Sequence, residues 1–362
     1  MSTSEYSVCI QGLLTEIGYR YEPFPPYDAD YWGPFHGWML HTLGPTSSWG
    51  AKQLAELEHA AGGVIERVYP FASTQMKLLF AKLTAIAILI DDSIEDETVH
   101  KHLVQFSHRL YRGEPQQNGL LALYYTNMTE LSEMYGDDSV LRGFAIVPWI
   151  NYIDACLMEK QLFNVERGRS KNRDALQPST HEEGLALKFP HYLRSKSGIA
   201  EAYAAGIFKA TKDQHLPLTR YIKVLPDLTF YIEVMNDLLS FYKEEIDGET
   251  YNLIHLRTRS LSASGVHGSG MNAEWTCYDT LRLLCDEIRQ ATRSIDGLLR
   301  LEDCERKLQG DPGINDIDEV DLEIAMQWRG WRDGYISWHL ECRRYKLGFL
   351  KFAGTGDPEP SD

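Results

Sequence analysis

No apolar run in this sequence reaches the roughly 18 residues that a membrane-crossing helix needs, so no membrane span is expected. A basic excess is also missing: 36 Lys and Arg stand against 52 Asp and Glu, a formal net charge of -16. Phosphate backbones are bound by basic surfaces, which excludes nucleic acid as the expected partner. An anionic ligand would then need a local basic site or bridging cations. The six cysteines, at 9, 156, 277, 285, 304 and 342, include no CxxC pair and no His/Cys cluster at zinc spacing. They read as reduced thiols of a cytosolic protein, not as a disulfide framework. Residues 1–21 lack a basic n-region and an apolar h-region, so no export signal is evident and a cytoplasmic location is expected.

Strand-like alternation is scarce as well. Helical periodicity dominates, with amphipathic stretches at 52–69, 76–90, 147–162 and 275–299, and the expected class is all-α. Breaks rich in Gly, Pro, Ser or Asp fall at 43–50, 166–180, 257–270 and 310–318. None separates unlike halves and no internal repeat is visible, so one domain over 1–353 is expected, followed by a disordered tail at 354–362. The segment 257–270, RTRSLSASGVHGSG, reads equally as a mobile lid or as a plain surface loop.

Two clusters carry chemistry. The run Ala85-Ile86-Ala87-Ile88-Leu89-Ile90 leads straight into Asp91-Asp92-Ser93-Ile94-Glu95-Asp96-Glu97. If the helix continues, Asp91 and Glu95 share a face, and two carboxylates there suit a hard cation such as magnesium. Acidic runs are more often solvated faces, and a DDxx(D/E) string arises by chance in about one chain in six of this length. Position sharpens the reading: an all-apolar helix is a buried one, and carboxylates at its C-terminal end oppose the helix dipole unless a cation compensates.

Further on, Leu225-Pro226-Asp227 opens a helix, since proline is tolerated in a first turn. That helix carries the string from Asn236 to Glu244. At about 100° per residue, Ser240 and Glu244 follow Asn236 along one stripe, which Lys243 joins. An amide, a hydroxyl and a carboxylate make a low-charge oxygen site that leaves positions for water and phosphate oxygens, as magnesium at a phosphate requires. The pattern [ND]Dxx[ST]xxxE arises by chance in about one chain in fifty, against the plainer reading of an exposed polar stripe.

With both clusters in this order, the sequence resembles the class I terpenoid cyclases, whose signatures are an aspartate-rich DDxx(D/E) motif and an NDxxSxxxE motif. Tyr69-Pro70, Asp91-Asp92-Ser93, Phe189-Pro190-His191-Tyr192-Leu193-Arg194, Asn236 to Glu244 and Arg343-Arg344-Tyr345 are similar to fungal sesquiterpene cyclases of the trichodiene synthase type. The resemblance implies a helical bundle around a central cavity, farnesyl diphosphate as the substrate, and a homodimer. It implies Asp91, with Glu95, as one magnesium site and Asn236, Ser240 and Glu244 as another, with three ions in all. Arg194, Lys243, Arg344 and Tyr345 look like its diphosphate-binding residues and, with Asp91, its catalytic set.

Leaving diphosphate gathers negative charge as its carbon–oxygen bond breaks, which cations and Arg, Lys or Tyr donors stabilise. The carbocation left behind needs a dry pocket with aromatic faces. Trp331, Trp338 and Tyr345, at seven-residue spacing on what reads as the last helix, are candidates, with Phe71 and Tyr152; such a stripe is more often ordinary core. Ser197-Gly198 reads either as a helix break aiming carbonyls into the pocket, as in relatives, or as a packing glycine. The sequence departs from trichodiene-type relatives at Ile94 and Glu95 and in the added segment 257–270. Chain elongation by a prenyltransferase of the same fold ordinarily uses a second DDxxD, where this chain has Asn236 and Ser240. A non-catalytic helical binding protein would not be expected to keep the whole ligand set.

Overall fold

The computed structural model describes residues 2–136, 138–171, 186–209, 214–268 and 274–350, with the backbone course alone for 163–171. Its first half builds α1 (Thr3–Glu16), α2 (Ala29–Trp38), α3 (Ala51–Val68), α4 (Thr74–Asp92), α5 (Glu97–Leu103), α6 (Phe106–Arg112), α7 (Gly119–Glu133) and α8 (Ser139–Lys171). The second half adds α9 (Phe189–Ser197), α10 (Ala200–Ile207), α11 (Leu218–Tyr221), α12 (Leu225–Asp247), α13 (Leu253–Ala263), α14 (Cys277–Leu298), α15 (Leu301–Leu308) and α16 (Glu319–Glu341). Among the described residues only two isolated bridges, Lys209 with His215 and His267 with Glu274, have β character. The fold is all-α.

Helix α4 shows why the bundle closes as it does. Its start is fixed by the Ser73 hydroxyl, which accepts from the Met76 N–H. Leu79, Phe80, Leu83, Ile86, Leu89 and Ile90 are buried round most of its circumference, and a helix apolar on nearly all sides must run through the interior. It packs against α3 on one side and α7 on the other. The helix ends at Asp92 with Ser93 as its cap, so the expected continuation to Glu95 does not occur. Helix α12 begins with Pro226 in its first turn and stops at Gly248, whose φ of 75° is the left-handed geometry of a glycine cap.

The break expected at 257–270 starts later than its composition indicates. Residues 257–263 form the second half of α13, capped by Asn252, whose side chain accepts from the His255 N–H at 2.9 Å. Polar residues are tolerated there because they bond to α14: Arg257 donates to Glu287 at 2.6 Å and Thr258 meets Thr280 at 2.7 Å. Helix α8 likewise runs through 166–171. The rest of the 166–180 break, the end of the 257–270 segment and the 354–362 tail lie outside the described residues.

Between Ser139 and Leu162, α8 is long and apolar enough, by length and composition only, to cross a membrane. In the bundle it buries Trp149, Ile153 and Cys156 and packs on α9 and α10.

Helix α16 crosses α3 so closely that a Cβ on Gly334 would stand 2.6 Å from the Arg67 carbonyl oxygen. Arg67 locks the crossing through bonds to Glu341 and to the Glu22 carbonyl. Because backbone, not a side-chain tip, blocks that Cβ, Gly334→Ala is expected to cost about 1–3 kcal/mol. A thermal melt checks this: the midpoint should fall by about 1–4 °C, and an unchanged midpoint would show that the crossing adjusts.

Candidate active site

The C-terminal end of α4, the middle of α8, the α9–α10 junction, α12 and α16 surround one cavity of about 260 Å³. Val64, Val68, Ala87, Ile88, Ile232 and Trp331 form its apolar part, while Asp91, Arg194, Asn236, Arg344 and Tyr345 gather at one end. A mouth of about 350 Å³ shares Asp91, Tyr152, Arg194 and Asn236 and adds Glu159, Asp237, Glu244 and Glu249. The cavity is therefore polar at its entrance and apolar within.

Most of the residues singled out in the sequence converge here. Tyr152, Trp331 and Trp338 line the cavity with Asp91, Arg194, Asn236, Arg344 and Tyr345. Glu244 faces the mouth, and Ser240 is buried between it and Asn236 on α12. Lys243, on the same helix, donates to Glu249 at 3.1 Å.

Two do not converge. Glu95 lies in the exposed turn after α4 and outside the cavity wall, because the helix that would have brought it beneath Asp91 has ended. Phe71 is 53% exposed in the turn before α4, roughly 25 Å of helix away from Asp91 at 1.5 Å per residue. Tyr345 is reached differently from the expected stripe: α16 ends at Glu341, and Tyr345 sits in a short turn, Arg343–Tyr345, that folds its ring onto Trp338 at 5.1 Å and 75°.

A hydrogen-bonded chain organises the polar end. Arg194 Nε donates to both carboxylate oxygens of Asp237, at 3.0 and 2.8 Å, and its Nη2 donates to Asn236 Oδ1 at 3.1 Å. Burial opposes the Arg194 charge, but Asp237 and Glu233 more than offset it and hold the guanidinium above its ordinary pKa. Burial pushes the Asp237 carboxyl up to about 6 and Arg194 pulls it back; the 2.8 Å contact fits the ion pair.

On the other side of Asn236 lies His339, fully buried and pushed by that burial down to about 3, hence neutral. Its Nδ1 faces the Tyr335 carbonyl at 2.8 Å, which accepts only, so Nδ1 carries the proton and Nε2 accepts from Asn236 Nδ2 at 3.1 Å. The Asn236 amide is thereby fixed with its oxygen toward Arg194.

Among the described residues no three His, Cys, Asp or Glu side chains form a preassembled metal cluster. The donors nonetheless fit a hard divalent cation, being oxygens of a carboxylate, an amide and a hydroxyl along α12, with Asp91 in the same mouth. Asp91 is open to the cavity yet ringed by protein, and burial and the neighbouring Asp92 push its carboxyl up to about 6, against Arg344 and Lys243. Burial likewise raises Glu244, whose Oε2 accepts from Asn252 at 2.7 Å, and lifts Glu159 to about 7. These are anionic groups short of compensating charge, which a cation in the mouth would relieve.

Aromatic rings continue inward. Trp331 stacks on Tyr335 at 4.6 Å, and His339 and Trp338 both contact Tyr345. At the α9–α10 junction, a Cβ on Gly198 would meet Glu233 Cγ at 2.8 Å and the Arg194 carbonyl at 3.1 Å. Ile199 beside it holds φ at 52°, an uncommon conformation for a β-branched residue. Ser197, Gly198 and Ile199 all line the cavity, so the junction is a cavity wall as well as a helix break.

Sequence reasoning missed Glu159, Asp237, Glu249 and His339. Glu159 follows Tyr152 at i+7 on α8, a spacing that places both on one face, so that signal was available. Asp237 stood inside the second motif with no role attached. Glu249 lies just past the end of α12, six residues after its partner Lys243; for His339 no local signal exists, since its partner Asn236 lies on another helix and its neutral state follows from burial.

The chain matches the family model described as Trichodiene synthase (TRI5) over residues 67–264, more than half its length; that span contains both motifs and stops before Arg344. It is 29% identical over 279 residues to the terpene synthase BipA of Cochliobolus sativus, covering 77% of this chain and 71% of that one. It is 30% identical over 286 residues to an (E)-beta farnesene synthase of Metarhizium brunneum, covering 76% and 80%. In fold it is similar to a linalool/nerolidol synthase from Streptomyces clavuligerus, with a TM-score of 0.56 at 15% identity over 88% of this chain and 100% of that one. The chain accordingly belongs to the trichodiene synthase family and is a terpene synthase, an enzyme of the lyase class.

Proposed function

We propose that the protein is a magnesium-dependent sesquiterpene cyclase, which ionises farnesyl diphosphate and closes the carbocation to a cyclic C15 product with release of diphosphate. The observation that carries this reading is the cavity whose entrance gathers Asp91, Arg194, Asn236, Arg344 and Tyr345 while its interior is apolar and aromatic. The farnesene synthase among its relatives supports a C15 substrate. Asp91 on one side, and Asn236, Ser240 and Glu244 on the other, would hold the magnesium ions, three by resemblance. When bound, these ions neutralise charge on the departing diphosphate.

The chain's own residues do the rest. Arg194, Lys243, Arg344 and the Tyr345 hydroxyl donate to diphosphate oxygens as they gain charge. Trp331, Tyr335 and Trp338 present ring faces to the cation, each worth about 0.5–2 kcal/mol when water is excluded. The apolar wall keeps out water that would quench the cation early.

Incubation with magnesium and C10, C15 or C20 isoprenoid diphosphates, followed by mass spectrometry of volatiles and prenyl diphosphates, tests the proposal. A cyclic C15 product is expected to dominate; longer diphosphates, or no turnover with any substrate, would overturn it.

The Thr84 and Tyr203 hydroxyls, 2.8 Å apart, lie in the cavity wall away from the metal-binding oxygens. Their oxygens draw positive charge toward that side of the chamber. Thr84→Val and Tyr203→Phe are each expected to shift the ratio of the two leading products about threefold, a change of about 0.7 kcal/mol, with turnover little altered. Product profiling by gas chromatography decides it, and an identical profile would remove the pair from product control.

A further inference from the structure

Cys9 on α1 and Cys285 on α14 lie with their sulfurs 3.4 Å apart, although 276 positions separate them in the chain. It is the only contact between two thiols among the described residues. Both are buried, Cys285 completely and Cys9 to 9% exposure, so the pair sits just beneath the surface at the α1–α14 contact. We infer that Cys9 and Cys285 form an oxidation site, at which a hydroperoxide such as hydrogen peroxide converts the two thiols to a disulfide that fastens α1 to the bundle.

Exposure and neighbouring charge distinguish the two thiols. Cys9 is the more exposed of the pair; its contact with the Cys285 thiol, in which either sulfur can donate, together with Arg289 and Arg282 favours its thiolate and lowers its pKa against burial and Asp286. The contact with Cys9 and its own deeper burial hold the Cys285 thiol well above the ordinary range, so it keeps its proton. The Cys9 thiolate therefore attacks the peroxide O–O bond, giving a sulfenic acid and, after one proton, water. Sulfur of Cys285 then attacks Cys9 Sγ, forming the S–S bond and breaking S–O. Its proton leaves with the hydroxide as a second water. Two thiols lose two electrons and two protons, and one hydrogen peroxide becomes two waters.

Closure needs a contraction of roughly 1.4 Å from the present separation to the usual S–S length of about 2.05 Å. Movement on that scale lies within what two helix side chains supply by small torsional change. Reduction by an ordinary dithiol reverses the step.

The consequence reaches the metal-binding helix. One turn N-terminal to Cys9, the Tyr6 hydroxyl donates to the Leu238 carbonyl of α12 at 2.8 Å, midway between Asn236 and Ser240. Tyr6 also packs on Tyr242 and Phe349, at 5.6 and 6.2 Å. Fastening α1 therefore holds the outer support of α12 in place.

The test treats the purified full chain with hydrogen peroxide, then compares intact mass, non-reducing peptide maps and thermal melts before and after dithiothreitol. The expected result is a loss of about 2 Da, a Cys9–Cys285 cross-linked peptide, and a melting midpoint raised by about 5 °C, all reversed by reductant. Cys9→Ser, at the more accessible and tolerant position, should abolish both the cross-link and the rise in midpoint. Cross-links between other cysteines, stable sulfinic acid at Cys9 without a cross-link, or an unreacted pair beside oxidised Cys277 and Cys342 would each overturn the inference.

Discussion

Asn236→Ala is expected to lower kcat/KM for the isoprenoid diphosphate by about 100-fold or more while leaving the far-UV helix signal at its wild-type level. The substitution removes the amide oxygen that accepts from Arg194 Nη2 and the amide nitrogen that donates to His339 Nε2. One buried acceptor then lacks a partner, which costs about 1–2 kcal/mol of stability. Loss of catalysis, about 2.7 kcal/mol for a hundredfold, is the larger effect and falls on the barrier, not on the fold. Asp91→Ala should be as damaging to turnover without the stability loss, since it also removes a carboxylate crowded by Asp92. Steady-state kinetics with circular dichroism and a thermal melt separate these outcomes. Undiminished turnover in either variant would remove that residue from the site.

The second large effect concerns the ion pair behind Asn236. Arg194→Leu leaves Asp237, 7% exposed, without its guanidinium. Stranding one partner of a buried pair costs about 3–5 kcal/mol, whereas replacing both by apolar groups is close to neutral. Arg194→Leu is therefore expected to lower the melting midpoint by about 4–7 °C. Adding Asp237→Leu should restore most of that loss. Turnover, by contrast, should stay low in the double variant, because the donor facing the cavity is still missing. Recovery of activity together with stability would mean that Arg194 only supports the fold.

Where the sequence was legible, periodicity was the reason. The apolar run before Asp91 foretold a central helix, and α4 is buried round most of its surface. Pro226 marked the start of α12 correctly, and the Asn236, Ser240 and Glu244 stripe lies on that helix as spacing required. Helix termini were harder. Nothing in Asp91-Asp92-Ser93-Ile94-Glu95 states that Ser93 caps the helix, and that one event moves Glu95 out of the cavity. The seven-residue spacing of Trp331, Trp338 and Tyr345 placed three rings on one face; α16 ends at Glu341, and a turn brings Tyr345 to the same wall. Phe71 failed because closeness in sequence to the first motif was read as closeness in space, across the whole length of α4. A long-range partner, such as His339 for Asn236, depends on how helices cross, which no local pattern encodes.

Cation-dependent ionisation at one end of an apolar chamber is the central claim. Its most direct measurement is release of inorganic diphosphate from farnesyl diphosphate by the purified protein, first in excess chelator and then across a magnesium titration. The account predicts no release with chelator and saturable release with magnesium, matched one for one by a cyclic C15 product. Diphosphate release that ignores magnesium, or magnesium-dependent turnover that yields a longer prenyl diphosphate, would contradict it.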